Sequence, residues 1–182
     1  MEFVEPIRNK KQLEAMKKYL LAHNQRDYVL FVLGINSGLR ISDLLKLTVE
    51  DVQGKDRITI QEQKTGKSKN FPLSDTSKKV IAEYLKQQNL SAGTLFPSRK
   101  GGNPISRIQA YRTINEAAGF AKVKDSIGTH TMRKTFGYWA YKSGVDIAII
   151  QKLLNHSAPS VTLRYIGIQQ DELDEVYLNL NL

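Results

Sequence analysis

Apolar residues recur along this chain at the spacing of a helix face, with one interruption. In KQLEAMKKYLLAH, Leu13, Met16, Leu20 and Leu21 share a face, and Asn9 stands where an N-cap belongs. The next segment, roughly residues 26–37, is apolar on nearly every side (YVLFVLGI). That pattern predicts a helix central to the core, stopped by Gly38. A short helix then begins beside Arg40 in LRISDLL. Residues 52–74 change to a period of two: RITIQEQ and NFPLS alternate around KTGKSK. This predicts an antiparallel hairpin turning at or near Thr65-Gly66, and a further short strand near Val52 would make three. Ser74 caps a helix in DTSKKVIAEYLKQQ, and the Gly- and Pro-rich stretch LFPSRKGGNP reads as a loop. Pro104 opens a helix ending near Ala118, with Gly119 as its stop. Three short helices follow. The first runs from His130 to a stop at Gly144, and the second, IAIIQKLL, is capped by Asp146. The third starts at Ser157 and Pro159 and carries Tyr165 near its end. The predicted fold class is mixed, mainly α, with a small antiparallel sheet of about three strands.

Composition narrows this picture. The 182 residues, 41% apolar, suit one domain with a sizeable core, and no internal repeat, low-complexity tract or clear linker divides them. The absence of cysteine excludes disulfides and cysteine-ligated zinc. The longest apolar run, Tyr28 to Ile35, is too short to span a bilayer, and the N-terminus lacks the apolar core of a signal peptide. A cytoplasmic protein with no membrane partner is expected. The net charge is +9, and it is unevenly placed. All 27 Lys and Arg but only 14 of the 18 acids fall in residues 1–165, giving that body +13. A basic body of this kind suits a polyanion, most often nucleic acid.

Several side chains have chemistry suited to a phosphate. Arg40 sits at a loop-to-helix corner with Asp43 three residues on, an arrangement expected to hold the guanidinium by a carboxylate. Lys64, Lys67 and Lys69 crowd the hairpin tip. His130 and Arg133 are three apart, so a helix puts them on one face. His156 follows the second short helix, and Tyr165 comes nine residues later. A guanidinium binds phosphate, an imidazole moves a proton, and a phenol can attack phosphorus. Taken singly, each has a plainer reading: a surface ion pair, a solubilised hairpin tip, a structural histidine, a packing tyrosine. Arg99 in the loop, and Arg107 and Arg112 on the helix after Pro104, are candidate DNA contacts or simply a solvated face.

Taken together, Arg40 in SGLRISDLLKL, Lys64 in QKTGKSKNFPL, His130 and Arg133 in HTMRK, His156 in QKLLNHS and Tyr165 in VTLRYI resemble the tyrosine recombinase (phage integrase, Xer-like) family. Their order and spacing match its catalytic domain from about residue 9 to residue 167. Three positions depart from the common pattern, one of them conservatively, Asp43 for the usual acid of the first box. Lys134 stands where a second histidine is frequent, and Asn155 replaces the glycine often found before His156. The resemblance implies a single catalytic domain over residues 1–182 without the N-terminal core-binding domain that relatives commonly carry. Such a chain would be either a short stand-alone recombinase, as fimbrial inversion enzymes are, or a fragment.

The same resemblance implies the roles. Tyr165 attacks the scissile phosphate, forming a 3′-phosphotyrosyl link and freeing a 5′-hydroxyl. Arg40 and Arg133 bind the non-bridging oxygens, and Lys64 protonates the leaving oxygen. His130 assists proton transfer at the phenol, His156 donates to the phosphate, and Asp43 supports the arginine side. Lys67 and Lys69 contact DNA more generally. No metal, cofactor or ATP is implied. The partners are double-stranded DNA and further copies of the chain, in a tetramer, with room for an accessory DNA-bending protein. A bacterial or phage-encoded, nucleoid-associated protein of a mobile element is the expected setting. Integration, excision and inversion are not distinguished, nor is the target site given. The alternatives are a catalytically silent DNA-binding regulator and a relaxase of the type IB topoisomerase kind. The acidic tail, residues 168–182, has Leu173, Val176, Tyr177 and Leu180 at one helical face. It is expected to dock on a neighbouring protomer.

Overall fold

The computed structural model describes residues 4–168 and 178, so the tail expected to dock on a neighbour, residues 168–182, lies almost wholly outside the described residues. The elements are α1 (Lys10–His23), α2 (Gln25–Ser37), α3 (Ile41–Leu44), α4 (Val49–Val52), β1 (Arg57–Gln61), β2 (Ser68–Pro72), α5 (Asp75–Gln87), α6 (Arg107–Phe120), α7 (Thr131–Lys142), α8 (Ile147–Leu154) and α9 (Pro159–Ile166). The expected caps form. The Asn9 side chain accepts from the Lys11 and Gln12 amides, Ser74 from Ser77, and Asp146 from Ala148.

Helix α2 is the central element, as its all-round apolar sequence dictates. Val29 through Leu33 are buried without a break, and α2 packs against α1, α5 and α7. The main core gathers around it. A second, smaller apolar cluster of Tyr138, Ile150, Leu154 and Ile166 holds α8 and α9 onto α7. Gly137 makes that docking close: a Cβ there would lie 2.6 Å from the Ile166 Cγ2 atom and 3.1 Å from the Leu154 Cδ1 atom.

The sheet has two strands among the described residues. β1 and β2 pair antiparallel, with Ile58 opposite Phe71 and Gln61 opposite Ser68. The expected third strand near Val52 is helix α4 instead. The Thr48 amide donates to the Asp51 carboxylate at 2.8 Å, and this reciprocal capping box starts a helical turn where the strand is expected. Only a single bridge, Thr48 to Thr94, survives there as strand-like pairing. Helix α6 also runs further than expected. Gly119 lies inside its last turn, and the left-handed residue beyond the end is Lys122, with φ 54°. The cap of α9 is Ala158 rather than Ser157, with Pro159 opening its first turn.

Gly38 closes α2 in the left-handed conformation, with φ 60°, and the Phe136 ring of α7 lies over it. A Cβ at this position would meet the Phe136 Cδ1 atom at 2.5 Å. Gly38→Ala therefore combines a left-handed backbone penalty of about 1–2 kcal/mol with steric overlap. The variant is expected to melt several degrees lower, since 1 kcal/mol corresponds to about 2–4 °C in a chain of this size. An unchanged melting temperature would refute this packing.

Candidate active site

The site is assembled around Arg133. Helix α7 projects this side chain inward until only 2% of the residue is exposed. Its Nη1 donates to the Gly38 carbonyl at the end of α2, and its Nη2 donates to the Leu154 carbonyl at the end of α8. Both carbonyls lie at helix C-termini, where the aligned peptide dipoles concentrate negative potential, so a cation is favoured there. A further hydrogen bond joins the guanidinium to the Tyr165 hydroxyl from α9. One residue thus brings together the three short helices and the end of the central one.

Arg40 supplies the second guanidinium from the N-cap of α3. Its carboxylate partner is not the expected Asp43. The Arg40 Nη1 lies 2.8 Å from the Glu62 Oε1, and only 15% and 2% of the two side chains are exposed. The other Glu62 oxygen accepts from the Thr65 hydroxyl at 2.7 Å and the Asn155 amide at 3.1 Å. Burial alone would raise the Glu62 pKa, but hydrogen bonds from Thr65, Arg40 and Asn155 together hold it below the usual value. Asp43 instead accepts from the Gln63 backbone amide at 2.9 Å. A rigid one-turn helix keeps its carboxylate on the hairpin base, so it supports the loop carrying Lys64 rather than the arginine. Glu62 was missed because the sequence marks it only as the end of an alternating strand, and a partner three residues away looked nearer than one across the hairpin. Asn155 takes the left-handed conformation, φ 52°, which asparagine tolerates where glycine is usual.

The imidazole and phenol of the last box also converge. The rings of His156 and Tyr165 meet edge to face with centroids 4.7 Å apart. The His156 Nδ1 lies 3.1 Å from the Thr162 hydroxyl oxygen, which fixes the ring's orientation. Burial, then the Arg133 and Arg40 charges, lower the His156 pKa to about 4, so the ring is neutral at pH 7. Burial raises the Tyr165 pKa, against the opposing pull of Arg133 and Arg40, so the phenol is protonated and needs a base before it can attack. The Lys134 Nζ sits 5.2 Å from the centre of the Tyr165 ring. His130, exposed at the N-cap of α7, has its pKa lowered first by desolvation and then by Arg107, Arg133, Lys134 and Arg40. It therefore stands at the margin of the same cationic site, and Arg107 stands near it.

The hairpin lysines divide. Lys64 is exposed in the loop between the strands, and its ammonium makes no hydrogen bond or ion pair with any described residue. The Lys67 Nζ reaches the Asn155 side chain at 3.4 Å from an exposed position. Lys69 alone turns inward, to the Ser37 carbonyl at 3.5 Å. Arg99 and Arg112 are exposed and line a separate cleft of about 360 Å³ with Arg26. The site proper therefore joins Arg40, Arg133, His156 and Tyr165, with His130 beside them and Lys64 on a loop outside. Two guanidiniums next to a protonated phenol and a neutral imidazole can bind a phosphodiester and present an oxygen nucleophile to it.

Known proteins share this arrangement of sequence and fold. The phage integrase family profile matches residues 8–172. The probable integrase/recombinase YoeC of Bacillus subtilis is 49% identical over 177 residues, covering 97% of both chains. Tyrosine recombinase XerC of Thermodesulfovibrio yellowstonii is 32% identical over 162 residues, covering 84% of this chain and 54% of XerC. The XerH site-specific recombinase, solved on its difH substrate after cleavage, superposes with a TM-score of 0.76 at 18% identity, over 99% of this chain and 54% of that one. The chain thus spans nearly all of YoeC but about half the length of XerC and XerH.

The low His156 pKa has a measurable consequence. Between about pH 6.5 and 4 the unfolded chain holds a proton on this ring that the folded chain does not. The associated stability is complete above the unfolded value and is lost as pH falls through about 4. His130, lowered in the same direction, adds to the effect. His156→Gln is expected to lose less melting temperature than the wild type between neutral pH and pH 4.5. Parallel melting curves across that range would show that the ring is not held neutral.

Proposed function

Because the chain belongs to the phage integrase family of tyrosine recombinases, we propose that it cuts and rejoins DNA strands through a covalent 3′-phosphotyrosyl intermediate. The observation that carries this reading is the Tyr165 hydroxyl, hydrogen-bonded to a buried arginine and flanked by His156. The +13 body supplies the charge for DNA, and XerH, a protein of the same fold, is seen on its DNA substrate.

The chemistry follows from the groups present. The two guanidiniums hold the non-bridging oxygens of the scissile phosphate and stabilise the added charge of the pentavalent transition state. Arg133 keeps donors for this role because a guanidinium has five N–H groups, of which the two carbonyls take two and the Tyr165 hydroxyl a third. As the phenol attacks phosphorus, its proton passes to His130, whose lowered pKa keeps it neutral and able to accept. The P–O5′ bond breaks, and the departing oxygen takes a proton from Lys64 once the hairpin loop closes on DNA. His156 donates to the phosphate, whose negative charge opposes the effect of the two arginines on its pKa. Reversal by a 5′-hydroxyl of the same or a partner strand reseals the chain. The phosphotyrosyl bond retains the phosphodiester's energy, so the cycle needs no ATP, and the guanidiniums, ammonium and imidazoles take the charge-stabilising part that a divalent metal plays in carboxylate-based nucleases. Strand exchange between sites calls for an assembly of protomers on DNA, and the acidic tail, residues 168–182, is the segment we assign to contact between them.

Tyr165→Phe is expected to bind DNA as the wild type does and to leave no covalent adduct on a denaturing gel. An adduct that persists would move the nucleophile elsewhere, whereas a wild type that binds DNA but forms no adduct would mark a silent binder. Arg40→Ala should cut about 10²-fold more slowly, the scale for one lost transition-state donor, while binding falls far less.

Lys64 has its own diagnostic. A substrate with sulfur at the bridging 5′ position leaves without a proton. Lys64→Ala should cleave it at close to the wild-type rate while failing on ordinary DNA. Failure on both substrates would remove Lys64 from the proton-donor role.

A further inference from the structure

By sequence Lys69 stands with the general DNA contacts of the hairpin, but its position is different. It lies on β2, the returning strand, and its side chain turns under the hairpin. Its ammonium touches the Ser37 carbonyl, one residue from the carbonyl that Arg133 binds. The end of α2 therefore holds two cations side by side. The charged groups acting on Lys69 are Arg133 of α7, Arg40 at the start of α3, Glu62 at the hairpin base and Asp43 of α3. The Phe71 ring lies 5.5 Å away. On its other side a cleft of about 270 Å³ opens, lined by Glu62, Lys67, Phe71, Lys152 and Asn155 as well as Lys69. The side chain has room to leave the carbonyl.

A helix C-terminus attracts cations, so a merely structural cap for α2 has to be weighed. The electrostatics oppose it. Burial first, then the Arg133 and Arg40 charges, lower the Lys69 pKa to about 8, and these outweigh the opposing pull of Glu62 and Asp43. Folding thus penalises the charged form, and below pH 8 the protonated side chain costs stability instead of adding it. A desolvated ammonium packed beside two guanidiniums lacks one thing, an anion, and a phosphodiester supplies it.

Building on the reading of Tyr165 as the nucleophile, we propose that Lys69 is a catalytic residue whose ammonium donates a hydrogen bond to the scissile phosphate. The site then uses two lysines with separate duties. Lys64 comes from the exposed loop of the hairpin as proton donor, and Lys69 is already stationed in the arginine pocket as a third cation for the phosphate.

The test compares Lys69→Met, Lys69→Arg and Lys67→Ala with the wild type in three measurements. These are DNA affinity, single-turnover adduct formation at saturating DNA, and melting temperature without DNA. Lys69→Met is expected to form the adduct at least about 10-fold more slowly, with affinity changed less than about threefold and a melting temperature equal to or above the wild type's. Lys69→Arg, which keeps a charge, should recover most of the rate. Lys67→Ala should show the reverse pattern, a larger loss in affinity than in rate at saturation. The proposal is overturned if Lys69→Met reacts within about twofold of the wild type at saturation, or if rate and melting temperature fall together as a structural cap requires. Tyr165→Phe, run alongside, separates this outcome from failure of the phosphotyrosyl reading, which would leave an adduct in that variant.

Discussion

The structure depends on a buried guanidinium satisfied by backbone. Arg133 is held by carbonyls at the ends of α2 and α8, and it reaches the phenol of α9. Removing it would leave two carbonyls without that donor in a dry environment, a cost on the order of 1–3 kcal/mol each. The same contacts that satisfy these helix ends also aim the side chain. Packing and the proposed phosphate chemistry therefore meet in one residue, and the position of the Tyr165 phenol is inherited from the packing of three helices around it.

This arrangement concentrates positive charge, and the protein balances it with few anions. Glu62 sits within the arginine pocket and pairs with Arg40, while Asp43 faces the hairpin backbone. Burial in this pocket, reinforced by its positive charge, drives His156 neutral and depresses both His130 and Lys69. All three shifts have desolvation as the largest cause and the two arginines among the rest, so an incoming phosphate would reverse the electrostatic part of each.

Much of this was legible in the chain itself. The all-round apolar pattern of α2 identified the central helix, and local capping signals at Asn9, Ser74 and Asp146 located three helix starts. Arg40, Arg133, His156 and Tyr165 were recognisable as a set through their resemblance to the tyrosine recombinase motifs, whereas helical spacing by itself joined only His130 and Arg133. What escaped was non-local. Glu62 meets Arg40 and Asn155 only after the hairpin folds over α3 and α8, and no spacing rule joins positions 62 and 155. Lys69 and Lys67 look alike in sequence, yet Lys69 lies on the half-buried face of β2 with Phe71, whereas Lys67 precedes the strand and stays exposed. The strand near Val52 failed for the opposite reason, since a local signal, the Thr48–Asp51 capping box, makes that segment a helix.

The hydrogen bond from Asn155 to Glu62 carries an evolutionary consequence. These positions lie 93 residues apart, yet one supplies a donor to a buried oxygen of the other. Glycine at 155 would relieve the left-handed backbone but withdraw that donor, leaving Thr65 as the remaining partner of that oxygen. An apolar residue at 62 would remove the need for the donor and release Arg40. Neither position is free to drift alone, so lineages descended from a common ancestor should exchange the two residues together, as a covarying pair.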